Sequence, residues 1–158
     1  MGDTKKLDPL DKKLIYYLSQ DGRMPVKELV KELEITSPTL QVRIKNLLQS
    51  GVFKIAGLID VFKIEKLFMA LVAIRVIDDS KIDKTLNDLA ELQEVGSVYA
   101  VTGRYDIFAE ILFSNDMEEL YSFMSSKLPQ QGNINHSESF VVMKSKKKWT
   151  LLPPGIRL

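Results

Sequence analysis

The chain has no cysteine and a single histidine, His136. The first absence excludes disulfides, thiolate metal sites and cysteine nucleophiles. The second leaves His136, near the start of a strand, as a surface residue rather than a catalytic one. No apolar run is longer than the eight residues from Leu67 to Ile74, far short of the roughly 20 that span a bilayer. The opening Met1-Gly2-Asp3-Thr4-Lys5-Lys6 leads into a polar amphipathic segment, not the apolar stretch of a signal peptide. Lys6 stands where a myristoylation site needs Ser or Thr. The expectation is a cytoplasmic protein with no membrane partner, no metal and no cofactor. What is present is ordinary globular material: 158 residues, 45% apolar and 27% charged, enough for one domain or two small ones.

The net charge of +1 is unevenly spread. Residues 1–60 carry ten Lys/Arg against eight Asp/Glu, residues 61–143 seven against thirteen, and residues 144–158 five against none. Residues 36–54 hold Arg43, Lys45 and Lys54 with no acid. A locally basic element beside an acidic body suits contact with a polyanion through one face. On charge alone, a solvated helix face fits as well.

Three short helices are readable before Gly51. The first opens at Asp8-Pro9, an N-cap acid followed by proline at the first helical position. Its stripe is Leu10, Leu14, Ile15 and Leu18, and Asp21-Gly22 ends it. The second begins near Pro25 and buries Val26, Leu29, Val30 and Leu33. After the turn Glu34-Ile35-Thr36-Ser37, a third helix runs to about Ser50-Gly51. Its cap is Thr36 or Ser37, with Pro38 at the first helical position favouring Ser37. Two helices, a tight turn and a third helix with a polar outer face describe a helix-turn-helix. The β-leaning Val52–Ile59 forms a short wing or a linker strand, and Val61 to Leu67 bridges into the second half.

From Phe68 the pattern repeats. A strand (68–77), an acidic helix from Asp79-Ser80 and a strand (97–102) are followed by a strand (106–113), a helix capped by Ser114-Asn115 and a last strand (134–143). The order βαββαβ, turned at Gly103-Arg104-Tyr105, predicts a ferredoxin-like sandwich, α+β in class. Right-handed crossovers put both helices on one face. Strand one is apolar on both sides, which suits burial on both faces. With no third layer evident in the chain, a second subunit is the simplest cover, so a homodimer is expected. The organisation read from sequence is thus 1–60 helix-turn-helix with linker strand, 61–67 linker, 68–143 ferredoxin-like oligomerisation domain, and 144–158 basic tail; the sensing role of 68–143 comes only with the resemblance below.

With these segments in order, the chain resembles the Lrp/AsnC (feast/famine) family of regulators over nearly its whole length. The resemblance is carried by Leu7-Asp8 through Leu18, Asp21-Gly22-Arg23, and Ile35-Thr36-Ser37-Pro38-Thr39 through Arg43-Ile44-Lys45. Leu47, Gly51-Val52, Thr102-Gly103-Arg104-Tyr105-Asp106 and Val141-Val142-Met143 continue it. It implies a winged-type helix-turn-helix, a ligand-sensing domain, dimers that often assemble into octamers, a double-stranded and palindromic operator, and an amino-acid effector. Where family members commonly carry extra basic residues on the third helix, Val42 and Asn46 stand here. The usual proline after the linker aspartate and the later Leu-Gly pair are replaced by Asp60-Val61 and Glu65-Lys66-Leu67.

Helical projection of the third helix puts Leu40, Ile44, Leu47 and Leu48 on the core face. Ser37, Pro38, Thr39, Gln41, Val42, Arg43, Lys45 and Asn46 are the candidate DNA-binding residues. Thr39 and Asn46 suit base edges, Lys45 a phosphate or guanine, and Val42 a thymine methyl. Arg43 either touches a phosphate or pairs with an acid inside the domain. The hairpin Thr102, Gly103, Arg104, Tyr105 and Asp106 is the candidate effector site. Its glycine turn supplies backbone N–H groups for a carboxylate, and Asp106 supplies a counter-charge for an ammonium. The resemblance adds Ser137, Glu138 and Ser139, which help close the pocket between subunits. The plainer reading is a left-handed turn at Gly103 capped by Asp106. Lys146-Lys147-Lys148-Trp149 lines the DNA path, pins the tail to a neighbouring subunit, or is a solvated end. Two further functions share this architecture or charge pattern. One is a siroheme-decarboxylase-like enzyme, which the scarcity of His and Arg in the second half disfavours. The other is a non-specific architectural DNA binder.

Overall fold

The computed structural model describes residues 5–114 and 117–156. The chain divides into two compact units, Met1–Gly57 and Leu58–Leu158. In the first, α1 (Pro9–Gln20) starts at Asp8, whose Oδ1 accepts from the Asp11 N–H at 2.7 Å with Pro9 at the first helical position. Helix α2 (Val26–Leu33) ends at Glu34, which adopts the left-handed conformation. Helix α3 (Ser37–Gln49) follows after two residues. Leu14, Leu18, Leu29, Leu33, Leu40 and Leu47 form the buried core, two from each helix.

Three sequence expectations change here. The cap of α3 is Thr36, not Ser37: its Oγ1 accepts from the Thr39 N–H at 3.4 Å, and Pro38 sits one place further into the helix. Leu48 is 40% exposed and Val26 45%, because a stripe of six small-helix leucines is already filled and each outer residue falls at its margin. Residues 53–58 make no strand; the one bridge in this stretch joins Ile59 to Thr150 within the second unit.

The second unit holds a four-stranded antiparallel sheet in the order β2-β3-β1-β4. Its strands are β1 (Leu67–Val76), β2 (Val95–Ala100), β3 (Ile107–Ser114) and β4 (Ile134–Val141). Helix α4 (Ile82–Ala90) follows a 3-10 turn capped by Asp78. Helix α5 (Met117–Ser122) runs on through a π turn, Phe123–Lys127. The Asn115 part of the expected α5 cap lies outside the described residues. Alternation along β1 and β3 sends Ala70, Val72, Ile74, Val76, Ile107, Ala109, Ile111 and Phe113 to the helix side, onto Leu89, Leu120, Phe123 and Leu128. This is the ferredoxin-like βαββαβ arrangement, with both helices on one face.

The opposite face is where the sequence reading falls short. The chain supplies part of a third layer itself: Val61 and Ile156 pack on Leu67, Met69 and Leu112, joined by Ile59, Ile64 and Leu152. Residues 61–67, read as a linker, and 150–156, read as a tail, are therefore built into this unit. Val61–Lys63 form a 3-10 turn that points Val61, Ile64 and Leu67 the same way, whereas 150–156 follow neither a helical nor a strand period. The rest of that face stays open. Its rows are Phe140–Leu71–Glu110–Ser97 and Glu138–Ala73–Phe108–Tyr99, set by the register of the four strands. Phe140 is 48% and Tyr99 46% exposed.

Candidate functional site

Helix α3 is about 20 Å long at 1.5 Å per residue, and Leu40 and Leu47 fix it to the core by one side. Ser37, Pro38, Thr39, Gln41, Val42, Lys45 and Asn46 are all exposed. Pro38, Thr39, Val42, Arg43 and Asn46 line one shallow concavity. At the far end Lys5 donates to the Asn46 carbonyl at 3.3 Å and to Ser50 Oγ at 3.2 Å, placing a cation where the helix dipole is negative.

Arg43 takes the inward alternative. Its guanidinium donates at 2.7 Å to Asp8 Oδ2 and at 2.7 Å to Asp11 Oδ1, clamping α3 to the start of α1. The Asp11 N–H and the Arg43 guanidinium hold the Asp8 carboxyl below its ordinary range, and Asp8 and Asp11 raise Arg43 in turn. The same carboxylate thus caps α1 and braces α3. Both bonds are made by Nη1, while Nε is buried without a partner, so the guanidinium is tied toward α1 with only part of its donor set used.

The hairpin turns where expected, with Gly103 at φ +126° and the Val101 N–H bonded to the Asp106 carbonyl at 2.9 Å. Asp106 itself faces the sheet. Its Oδ2 accepts from the Val76 N–H at 2.9 Å, at the irregularity between Arg75 and Val76 where β1 slips register against β4. The carboxylate closest to the expected sensor chemistry is instead Glu138. His136 Nε2 lies 3.3 Å from its Oε1. The neighbouring Tyr105 phenol first, then His136, lower the Glu138 carboxyl, and Glu138 raises the Tyr105 phenol. The Arg104 guanidinium lies 5.7 Å from the Tyr105 ring centre.

Strand alternation splits the trio on β4. Ser137 and Ser139 pair with Ile74 and Val72, on the helix side, whereas Glu138 pairs with Ala73 on the open side. Thr102, Gly103 and Arg104 are exposed at the turn. Tyr105 and Glu138 are therefore brought together, while Asp106, Ser137 and Ser139 are turned elsewhere. Lys148 belongs to the same face: its Nζ donates to both Glu110 oxygens at 2.9 and 2.6 Å, so this part of the tail is pinned within its own subunit. Residues that sequence reading missed include Asn133. Its side chain joins the Asp78 backbone N–H and C=O to the hydroxyl of buried Thr85, each at 3.0 Å. It ties the start of β4 to α4. Among the described residues, no group of three or more His, Asp or Glu is placed to hold a metal.

Comparison with known proteins agrees with this geometry. Residues 7–54 match the model of a winged helix-turn-helix DNA-binding family, and residues 69–152 that of the Lrp/AsnC ligand binding domain. An uncharacterised HTH-type transcriptional regulator of Pyrococcus furiosus is 35% identical, covering 90% of this chain and 95% of its own. The HTH-type transcriptional regulator Ptr1 of Methanocaldococcus jannaschii is 32% identical over 93% of this chain and 99% of its own. Among solved structures, a transcriptional regulator of Neisseria meningitidis in complex with L-Met superposes with a TM-score of 0.71 at 22% identity, covering 94% of this chain and 97% of its own. The chain belongs to the Lrp/AsnC family of transcriptional regulators, joining a DNA-binding helix-turn-helix to a ligand-binding domain.

Proposed function

We propose that the chain is a sequence-specific DNA-binding regulator that acts as a homo-oligomer, at least a dimer, and responds to an amino acid. The observation that carries the DNA reading is the outer face of α3. There Thr39, Val42, Lys45 and Asn46 are exposed on a helix whose other side is locked into a leucine core. The N-terminal half of such a helix fits a major groove. Residues 61–143 are acidic and 144–158 basic, so any phosphate contact from the second unit falls to its last segment, and Arg43 serves chiefly as a brace within the first unit.

Dimerisation is supported by the apolar residues on the open sheet face, Leu71, Tyr99, Phe108 and Phe140, which a second copy of the same sheet would cover. The effector reading rests on the hairpin and the neighbouring Glu138. A carboxylate kept ionised by Tyr105 and His136 is a partner for an ammonium, and backbone N–H groups at the Gly103 turn suit a carboxylate. The Neisseria relative in complex with L-Met makes an amino acid the first class to try. Genomic footprinting tests the function directly. Discrete palindromic sites near promoters are expected; uniform coverage with affinity set almost wholly by salt would instead mark a non-specific architectural binder.

A further inference from the structure

We propose that α3 recognises its half-site through a thymine methyl group: Val42 packs on the C5-methyl in the major groove, and Asn46, one turn on, takes an adenine. The inference rests on the DNA-binding reading above and adds to it the base that is read.

Three observations carry it. Val42 is 58% exposed and sits at the centre of the outward face, lining the same concavity as Pro38, Thr39 and Asn46. Thr39 does not make that spot polar in full, because its hydroxyl is bonded to the Thr36 hydroxyl at 2.9 Å. The helix has one guanidinium, and Asp8 and Asp11 hold it at 2.7 Å each. Both bonds use Nη1, and Nε is buried, so a bidentate arginine contact on guanine O6 and N7 would need this clamp to be released.

Val42 and Asn46 together select for A·T. An aliphatic group finds a complementary surface in the major groove only at the thymine methyl, and an asparagine amide matches adenine N6 and N7 in both directions. Residues 42 and 46 are four apart, so their side chains emerge on the same side about 6 Å from each other. That distance spans about two base-pair steps of 3.4 Å, so both contacts fit within one short half-site. Lys45, beside them, reaches a phosphate or a guanine flanking these A·T pairs.

The test begins with the full-length chain selecting a duplex from a randomised pool. Each thymine of the enriched sequence is then replaced singly by deoxyuridine, which removes one methyl and no hydrogen-bonding group. One thymine per half-site is expected to respond, with binding weakened about fourfold, the size set by burying one methyl-sized group. Val42→Ala should weaken binding to the thymine duplex by a similar factor and then show no further loss on the deoxyuridine duplex. Its melting temperature should match the parent, since residue 42 lies outside the core. Three results would overturn the proposal: half-sites enriched without thymine, indifference of the parent to every deoxyuridine, or a Val42→Ala protein that still discriminates thymine from uracil. In each of these the duplex is bound, so DNA binding itself survives. Absence of any enriched or bound duplex removes both readings together.

Discussion

Arg43 and Lys45 differ by two positions on one helix, yet their environments assign them different work. Lys45 is exposed on the outer face, whereas Arg43 is held between two carboxylates of α1. Replacing Lys45 and Asn46 together by Ala should leave the melting temperature unchanged and weaken specific DNA binding, each lost base contact contributing about 1–3 kcal/mol. Arg43→Ala should do the reverse in the first instance. It leaves Asp8 and Asp11 facing each other without a cation, so the melting temperature falls while the salt slope of DNA binding keeps its value. Thermal denaturation alongside affinity measured at several salt concentrations separates the two. A change of about one in the salt slope for Arg43→Ala would mean that its guanidinium leaves the carboxylates for a phosphate. Sequence spacing alone left these roles open for Arg43, because its acids lie 35 and 32 residues away and only the packing of α1 on α3 brings them near.

Caps and stripes at the level of whole elements were the most legible features. Asp8-Pro9 fixed the start of α1, and leucines at helical spacing fixed its buried side. The α3 cap shows where such reasoning slips. Proline is tolerated at the second helical position as well as the first, since neither N–H has an intrahelical acceptor, so Pro38 does not choose between Thr36 and Ser37. Thr36→Ala should therefore cost about 1 kcal/mol, and Ser37→Ala only tenths of that, in chemical denaturation. The cap before α4 gives a pH test. Bonds from Ser80 and Lys81 lower the Asp78 carboxyl from 3.8 to about 2. A carboxyl depressed on folding contributes stability that is present above its unfolded value and lost as pH falls through its folded one. The melting temperature should drop between pH 3.8 and about 2, and Asp78→Asn should flatten that part of the profile. A profile unchanged by the substitution would show that other carboxylates carry the acid sensitivity. Asn133 escaped the sequence because its partners, Asp78 and Thr85, lie 55 and 48 residues away; only the return of β4 beside β1 joins them.

At the scale of the molecule, the surfaces proposed for oligomerisation and for sensing lie on one sheet face. The βαββαβ order and the doubly apolar β1 could be read from the sequence. The partial cover from residues 58–64 and 150–156 could not, as Leu151-Leu152-Pro153-Pro154 has no period to follow. That cover leaves Phe140 and Leu71 side by side on the open part. Phe140→Glu should convert the dimer to monomer in sedimentation, since it places a charge where a second sheet must pack. Glu138 and Tyr105 lie on the neighbouring row and turn, so a ligand bound there would meet the same boundary between subunits. A ligand shifts an equilibrium only by its differential affinity for the two states, and an amino acid bridging subunits must therefore raise the melting temperature and change the oligomer distribution together. Screening the common amino acids by thermal shift, then by ultracentrifugation, should reveal both effects for the same compounds. Glu138→Gln should abolish both, because the ammonium loses its counter-charge while the amide keeps the side chain's shape. Asp106→Ala should act differently. Its carboxylate holds the Val76 N–H, so the substitution should lower the melting temperature without ligand and leave the ligand-induced increment in place. If Asp106→Ala removes the increment and Glu138→Gln does not, the ammonium sits at the hairpin and Glu138 serves only to anchor Tyr105.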